Sequence, residues 1–468
     1  MTLELYDTRT RRKRPFEPLE PGRVRIYTCG PTVYAPQHLG NLRSQLVADL
    51  LKRVLRLEGY EVIHVVNITD VGHLTDDADA GEDKMEAAAR KSGRRAEEIA
   101  REYTELWLRD RALVGCLPPE VLCRATEHIE QQIALIRSLE EKGFTYRIED
   151  GIYFDTSRFP RYGEFAGLDI EGQAGGHRIG DVPGKRHPAD FALWKFAPPG
   201  VRRQQEWDSP WGRGFPGWHI ECSAMSMHYL GVPFDIHTGG VDHIQVHHTN
   251  ETAQSECATG VHPWVRTWIH CEWLIFGSEK MAKSKGNVRL LQDLIDAGIE
   301  PRAFRFFFLQ AHYRQQQTYT DEAMEAAWRG YRRLREQTAA LAGEGGKPSP
   351  ERIRPHLERF RAALRDDLNA PRALAALFEA LRDPALEAAD RRALVEEVDR
   401  VLALDLLRPL PESTREEEGD PRIEALLAER EEARKRRDFA TADRIRAELE
   451  AEGIEVRDTA EGPRWRRR

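Results

Sequence analysis

A chain of 468 residues is too long for one hydrophobic core, so several domains are expected. Hydrophobic residues make up 40%, enough for globular packing, yet no run of about 18 apolar residues offers a membrane span. The charged start, MTLELYDTRTRRKRPF, lacks the apolar stretch of a signal peptide, and a net charge of -8 argues against bulk electrostatic capture of nucleic acid. The chain reads as soluble and cytoplasmic.

In chain order, VRIYTC is a short β-type run ending at Cys29, followed by the turn-rich GPTVYAPQ and by HLGN, His38 to Asn41. Leu42, Leu46, Val47, Leu50, Leu51, Val54 and Leu55 then recur at helical spacing, Gly59 stops the helix, and EVIHVVNITD reads as a buried strand. Strand, turn, helix, strand is the βαβ unit of a parallel sheet. HLGN then falls at a helix N-terminus, a natural phosphate position, with Gly40 allowing close backbone approach. Taken alone, such a four-residue pattern is common by chance.

From about 118 to 200 the pattern changes. A helix is expected over 127–142, then a hairpin turning on Asp150-Gly151, then a stretch rich in Gly, Pro and Asp. This reads as an insertion between two halves of an α/β domain. The sheet resumes with PFDIHTGG, a helix carrying His247 and Glu251, and one strand, TWIHCEWLIF; KMAKSKGN, Lys280 to Asn287, comes straight after. From about 322 the chain is helical in pattern, broken by a loop at 343–350 and an acidic, Pro-containing linker at 408–421. The tail is locally basic in RKRR, Arg434 to Arg437, and WRRR, Trp465 to Arg468.

Four side chains around the predicted sheet edge have metal-ligand chemistry: Cys29, Cys222, His247 and Glu251. Zinc takes thiolate, imidazole and carboxylate donors, and His and Glu four apart share one helix face. Each has a blander reading on its own, the cysteines as core and His247 with His248 as a polar helix turn. Cys116, Cys123, Cys257 and Cys271 read as small buried hydrophobes, and six cysteines without a CxxC pair give neither a disulfide framework nor a zinc ribbon. Trp218, beside Cys222, is either core or the apolar wall of a small pocket. The lysine segment is either a solvated loop or a lid whose Lys280 and Lys283 neutralise a triphosphate.

Together, YTCGPTVY, HLGN, VVNITDVGH, GWHIECSAMS, FDIHTGGVD, HHTNETAQS, KMAKSKGN and DDLNAPRALAALFEAL (366–381) resemble, in order, the cysteinyl-tRNA synthetase family of class I aminoacyl-tRNA synthetases. The tail RKRRDFATADRIRAELEAEGIEVRDTAEGPRWRRR is similar to its C-terminal anticodon-side module. The resemblance implies an α/β fold: a Rossmann-type catalytic domain (1–117 and 201–275) split by a connective insertion (118–200). A lysine-loop region (276–321), a helical bundle (322–407) and the C-terminal module (421–468) would follow. It implies a ligase that joins L-cysteine to tRNA(Cys) through cysteinyl-adenylate, with one Zn2+ per chain on Cys29, Cys222, His247 and Glu251, and Mg2+ with ATP. His38, Gly40, Asn41, Lys280 and Lys283 map onto the ATP signatures. Thr69, Trp218 and Asp242 map onto the amino-acid pocket. Trp465 with Arg466 and Arg436 is the expected tRNA contact, and a monomer is expected.

Zinc's preference for thiolate suits a site that must reject serine, which differs from cysteine only by oxygen for sulfur. On this reading no editing domain is needed. Three departures from the family pattern stand out: Asn41 where HIGH ends in histidine, Ala282 where KMSKS has serine, and Thr249 in HHTNE where the pattern is HHENE. Two competing readings are a ligase that passes cysteine to a small amine such as an amino-sugar, and a non-catalytic RNA-binding protein built from a decayed synthetase. The former would lack the full tail; the latter would have lost Lys283 or a zinc ligand.

Overall fold

The computed structural model describes residues 2–73, 83–167, 182–197, 200, 203–277, 279–280, 288–343, 345–409, 421–436, 438–452, 454–459 and 462–467. Its centre is a five-stranded parallel sheet. In chain order the strands are β1 (Arg23–Thr28), β2 (Glu61–Ile68), β3 (Val121–Arg124), β4 (Phe234–Gly240) and β5 (Val265–Cys271), and in space they lie β5-β4-β1-β2-β3. The chain grows outward from β1 to β3 on one side and returns to β1's other side with β4. That reversal opens a crevice beyond the carboxyl ends of β1 and β4, where α/β sheets bind ligands.

Helix α1 (Leu39–Leu57) crosses from β1 to β2 and buries the apolar set predicted for it against the sheet. The expected hairpin forms, but with Ile148 opposite Gly151 its turn is Glu149-Asp150 rather than Asp150-Gly151, and it lies inside a four-stranded antiparallel sheet that also contains Phe191–Phe196 and Gly214–Pro216. Two expectations shift. The helix at 127–142 opens as a 3-10 turn, Ala125–His128, before an α-helix over Ile129–Glu141. TWIHCEWLIF is two strands: β5 ends at Cys271, and Leu274–Phe276 joins a different sheet with Gln317–Tyr319. Polar Glu272 accounts for the break, since its carbonyl is taken by the buried Arg43 guanidinium rather than by a neighbouring strand.

Beyond the sheet, helices Asp321–Ala339, Pro350–Arg365, Ala370–Arg382 and Ala388–Leu402 pack into a bundle sharing the α1 core. The joint is ionic where it is deepest. Arg305, fully buried, meets Asp49 of α1 at 2.7 Å and donates to Leu402 O at the end of the bundle. Arg53 reaches the same carboxylate at 2.7 Å. Burial alone would raise the Asp49 carboxyl, but Arg305 and Arg53 hold it below its ordinary value of 3.8. Its stabilising contribution is therefore present above that pH and is lost on acidification. Asp49→Asn leaves Arg305 buried beside a neutral group, and denaturant unfolding at pH 7 is expected to show a loss of about 3–5 kcal/mol. A loss below about 1 kcal/mol would mean the pair is energetically idle.

An N-terminal hairpin, Glu4–Asp7 with Arg12–Pro15, lies across the β5 edge. Thr8 N donates to Trp268 O at 2.9 Å and Trp268 N donates to Asp7 Oδ1 at 3.0 Å. Its far side is latched by Asp367 at the corner of the bundle: Tyr6 N donates to Asp367 Oδ1 at 2.9 Å, and Asp367 N donates to Glu4 O. Asp367 and Leu368 both hold left-handed backbone (φ 58° and 55°), a conformation that the hydrogen bonds to the hairpin, Tyr313 and Arg314 stabilise. The C-terminal module, helices Pro421–Lys435 and Phe439–Ala451 with a hairpin Ile454–Thr459/Gly462–Arg467, has its own small core of Ile423, Leu427, Ile445, Leu449 and Ile454. No helix among the described residues is long and apolar enough to cross a membrane.

Candidate active site

The crevice is a cleft of about 570 Å³. Its floor is built by three neighbouring elements. β1 delivers Cys29 at its carboxyl end; helix α2 (Trp218–Leu230) delivers Trp218 in its first turn and Cys222 one turn on; helix α3 (His247–Thr259) delivers His247 and Glu251. One ligand atom from each of Cys29, Cys222, His247 and Glu251 lies within 4.8 Å of all the others, and all four residues are buried. The two sulfurs are 3.9 Å apart. Two thiolates about 2.3 Å from a tetrahedral metal would stand roughly 3.8 Å apart, so the donor set fits zinc.

A second set, Cys29, His237, His248 and Glu251, is equally compact. Access separates them. Cys29, Cys222 and His247 line the cleft, whereas His237 and His248 lie behind it. A metal that meets a substrate belongs to the first set.

The electrostatics of the cluster are strongly coupled. Burial pushes the Cys29 thiol well above its ordinary range, while a hydrogen bond from Cys29 lowers Cys222. Burial would depress His247, but the Glu251 carboxylate at 2.9 Å and the Cys222 sulfur bring it up to about 10. Glu251, which burial alone would raise, is held at about 2 by His237 and His247. The other oxygen of Glu251 meets His237 Nε2 at 3.0 Å, and His247 Nδ1 meets His219 Nδ1 at 2.9 Å. Such partners orient ligands before a metal arrives.

At the other end of the cleft His38 is the N-cap of α1. Its Nδ1 accepts from Asn41 N at 3.2 Å, and Asn41 Oδ1 accepts from His38 N at 3.4 Å, a closed capping box. Asn41 thus has a local task that keeps the α1 N-terminus ordered. Gly40 lines the cleft beside His38. Leu39 N donates to Arg289 O at 2.9 Å, and Lys280 pairs with Ile275, so the segments flanking 281–287 both meet the cleft wall. Lys283 lies outside the described residues, and only the backbone of Lys280 is described.

Thr69 and Trp218 line the same cleft, with Asp242 at its rim. Thr69 Oγ1 accepts from Asn67 Nδ2 at 3.1 Å, and Asn67 Oδ1 accepts from Gly30 N at 2.8 Å. Position 30 must be glycine, because a Cβ there would stand 1.6 Å from Asn67 O. The Trp218 ring packs on His247 at 4.5 Å, and Asp242 Oδ1 accepts from Trp273 Nε1 at 3.4 Å.

The tail rearranges one expectation. Trp465 is half-buried and packs against the small core of the module, where it is a wedge between hairpin and helices. Arg466 is described in its backbone alone; Arg436 is exposed. Phe439, which sequence reasoning passed over, is 62% exposed at the start of its helix, with Asp438 alone between it and RKRR. Of the histidines behind the ligands, His248 reads from sequence only as part of a polar helix turn, and His219, His237 and His270 carry no spacing pattern that marks them as partners of the ligands.

Residues 15–329 match the model of the class I (C) tRNA synthetase catalytic domain, 359–402 that of the DALR domain, and 416–466 that of the cysteinyl-tRNA ligase anticodon binding domain. The chain is 50% identical over 465 residues to cysteine–tRNA ligase 1 of Burkholderia lata, covering 99% of this chain and 97% of that one. It is 44% identical over 484 residues to the cysteine–tRNA ligase of Thermus thermophilus, covering 100% and 99%. Among solved structures, methionyl-tRNA synthetase of Mycobacterium tuberculosis bound by methionyl-adenylate aligns with TM-score 0.56 at 17% identity, over 84% of this chain and 92% of that one. The leucyl enzyme of Agrobacterium radiobacter aligns with TM-score 0.58 at 12% identity, over 85% and 87%. At those identities they speak for the fold alone.

Proposed function

The chain belongs to the cysteinyl-tRNA synthetase family of class I ligases, and from that premise we propose that it activates L-cysteine with ATP as cysteinyl-adenylate and transfers the cysteinyl group to the 3′ end of tRNA(Cys). Zinc at Cys29, Cys222, His247 and Glu251 would select the substrate thiol. The observation that carries this reading is the convergence of two thiols and an imidazole on the floor of a cleft, with a buried carboxylate against them and a helix N-terminus at the cleft's other end. Bound zinc supplies a soft Lewis-acidic site that holds a thiolate and not a serine hydroxyl. Glu251 is the ligand best placed to yield a position to substrate, since its second oxygen already has His237 as a partner.

The remaining groups divide by position. The Asp242 carboxylate at the cleft rim suits the substrate ammonium, and Trp218 walls the pocket at the size of a small side chain. The α1 N-terminus, with His38, Gly40 and Asn41, faces the phosphates, where its positive dipole end stabilises negative charge. Lys280 and Lys283 neutralise charge that builds on the triphosphate, with Mg2+ accompanying ATP. The substrate carboxylate attacks the α-phosphorus and pyrophosphate leaves, so activation uses neither a side-chain base nor a covalent enzyme intermediate. A ribose hydroxyl at the tRNA end then attacks the adenylate carbonyl, releasing AMP. On the tRNA side, exposed Phe439 and Arg436 replace Trp465 as the preferred stacking and phosphate contacts. The match over 416–466 favours a tRNA acceptor over a small amine.

The test is direct. Incubated with ATP, Mg2+, labelled cysteine and unfractionated tRNA, the protein should place label in acid-precipitable RNA, and unlabelled serine should not compete. Cysteine-dependent pyrophosphate exchange without RNA labelling would replace tRNA by a small amine.

Loading the metal should also release protons. At pH 7 the metal-free protein holds the Cys29 proton and the His247 proton, and both must leave. Calorimetry of zinc binding in buffers of different ionisation enthalpy is expected to report at least two protons released per chain. Because His247 is raised from 6.5 to about 10, its contribution to metal-free stability is complete below pH 6.5 and fades as pH rises through 10. Release of no proton would contradict this ligand set.

A further inference from the structure

Behind the cluster runs an unbroken row of hydrogen-bonding atoms. His248 Nε2 lies 3.4 Å from Cys29 Sγ, His248 Nδ1 lies 2.7 Å from His270 Nε2, and His270 Nδ1 lies 2.7 Å from Thr8 Oγ1 on the N-terminal hairpin. The two imidazoles are buried, at 0% and 4% exposed, and each of their four nitrogens has one of these partners. From this row we infer that Thr8 is a positioning residue of the metal centre, supplying through His270 the hydrogen that lets His248 Nε2 keep its own for the Cys29 sulfur.

The reasoning is a count of hydrogens. A neutral imidazole has one N–H and one acceptor nitrogen, so in a row each ring passes its polarity to the next and the ends decide the direction. A metal-bound thiolate can only accept, hence His248 Nε2 must donate to Cys29. His248 Nδ1 then accepts from His270 Nε2–H, and His270 Nδ1 is left as a bare acceptor that needs a donor. Thr8 Oγ1–H is that donor. Without it the buried His270 Nδ1 loses its partner, and reversing both rings would leave an unpartnered N–H there and also present a lone pair to the sulfur. Both outcomes weaken the thiolate's hold on a metal.

The anchor is well placed to be firm. Thr8 is fixed by its own N–H to Trp268 O, and Asp7 beside it is buried, accepting from Trp268 N and paired with Arg14 at 3.3 Å. Arg14 in turn donates to Arg266 O at 2.8 Å, stitching the hairpin along β5. A residue some 20 positions before the first ligand thus completes the sphere around the ligands.

This inference rests on zinc occupying the first ligand set, and the experiment separates the two. Zinc affinity of the full chain is measured by competition with a chromogenic chelator for wild type, Thr8→Val and Thr8→Ser. Wild type should bind one zinc; failure there sinks the metal reading itself. Given that binding, Thr8→Val is expected to lose about 10- to 100-fold in affinity, with Thr8→Ser within about threefold of wild type. Equal affinities for Val and wild type, or equal losses for Val and Ser, would overturn the role of Thr8 and leave the metal site standing. If Thr8→Val does not fold, Thr8→Ala is read in the same way. A histidine-selective 15N spectrum of the zinc-loaded wild type gives an independent readout: His270 Nδ1 is expected bare, and a proton on it would refute the direction of the row.

Discussion

Cys222→Ser is expected to lower kcat/KM for cysteine in pyrophosphate exchange by about 10³-fold or more, roughly 4 kcal/mol of transition-state stabilisation. Serine fits the space, since Cys222 is 1% exposed on a helix face and the change is one atom. Its hydroxyl remains protonated at neutral pH and is a poor partner for a soft metal, so the cluster drops to three donors. The metal content should fall from one zinc per chain, while the melting temperature of the metal-free protein stays within a few degrees of wild type. The same variant discriminates between the two compact donor sets. Full zinc content after Cys222→Ser would move the metal to Cys29, His237, His248 and Glu251, and with it the account of substrate selection.

Removing residues 421–468 is expected to raise the KM for tRNA by about 100-fold while leaving cysteine-dependent exchange within about twofold. The module has its own core, and the cleft takes none of its lining from it. Two single substitutions divide the effect. Phe439→Ala removes an exposed aromatic ring, so KM for tRNA should rise by about 1–2 kcal/mol worth of stacking, about 5- to 30-fold, without loss of thermal stability. Trp465→Ala removes a wedge from the small core and should melt the module first, which circular dichroism would register. If Trp465→Ala raised KM with the module intact, the original assignment of Trp465 to stacking would stand. If deletion abolished exchange as well, the tail would be structural support for the catalytic half.

What the sequence made legible follows from how local each signal is. The βαβ unit around HLGN was readable because strand, cap and helix are contiguous, with apolar residues at two clear periods. His247 and Glu251 were readable as one helix face. Cys29 and Cys222, 193 positions apart, could be joined to them only by the sheet order or by resemblance. The break in TWIHCEWLIF was hidden, because it depends on Arg43, a residue on α1, claiming the carbonyl of Glu272. The roles of His237 and His270 and of the Thr8 hydroxyl were invisible for the same reason: each is ordinary until the fold brings a partner from elsewhere.

The latch between the N-terminal hairpin and the bundle has a temporal consequence. Tyr6 and its partner Asp367 are separated by 361 residues. A ribosome adding about 5–20 residues per second emits the hairpin roughly 20–70 s before the carboxylate that fastens it. Until then the hairpin strands have only the β5 edge to hold them, and β5 itself is made some 260 positions later. A hairpin made hundreds of residues before its partners is therefore among the last pieces to be secured, so the nascent chain carries that edge open to chaperones and to mispairing through the synthesis of both.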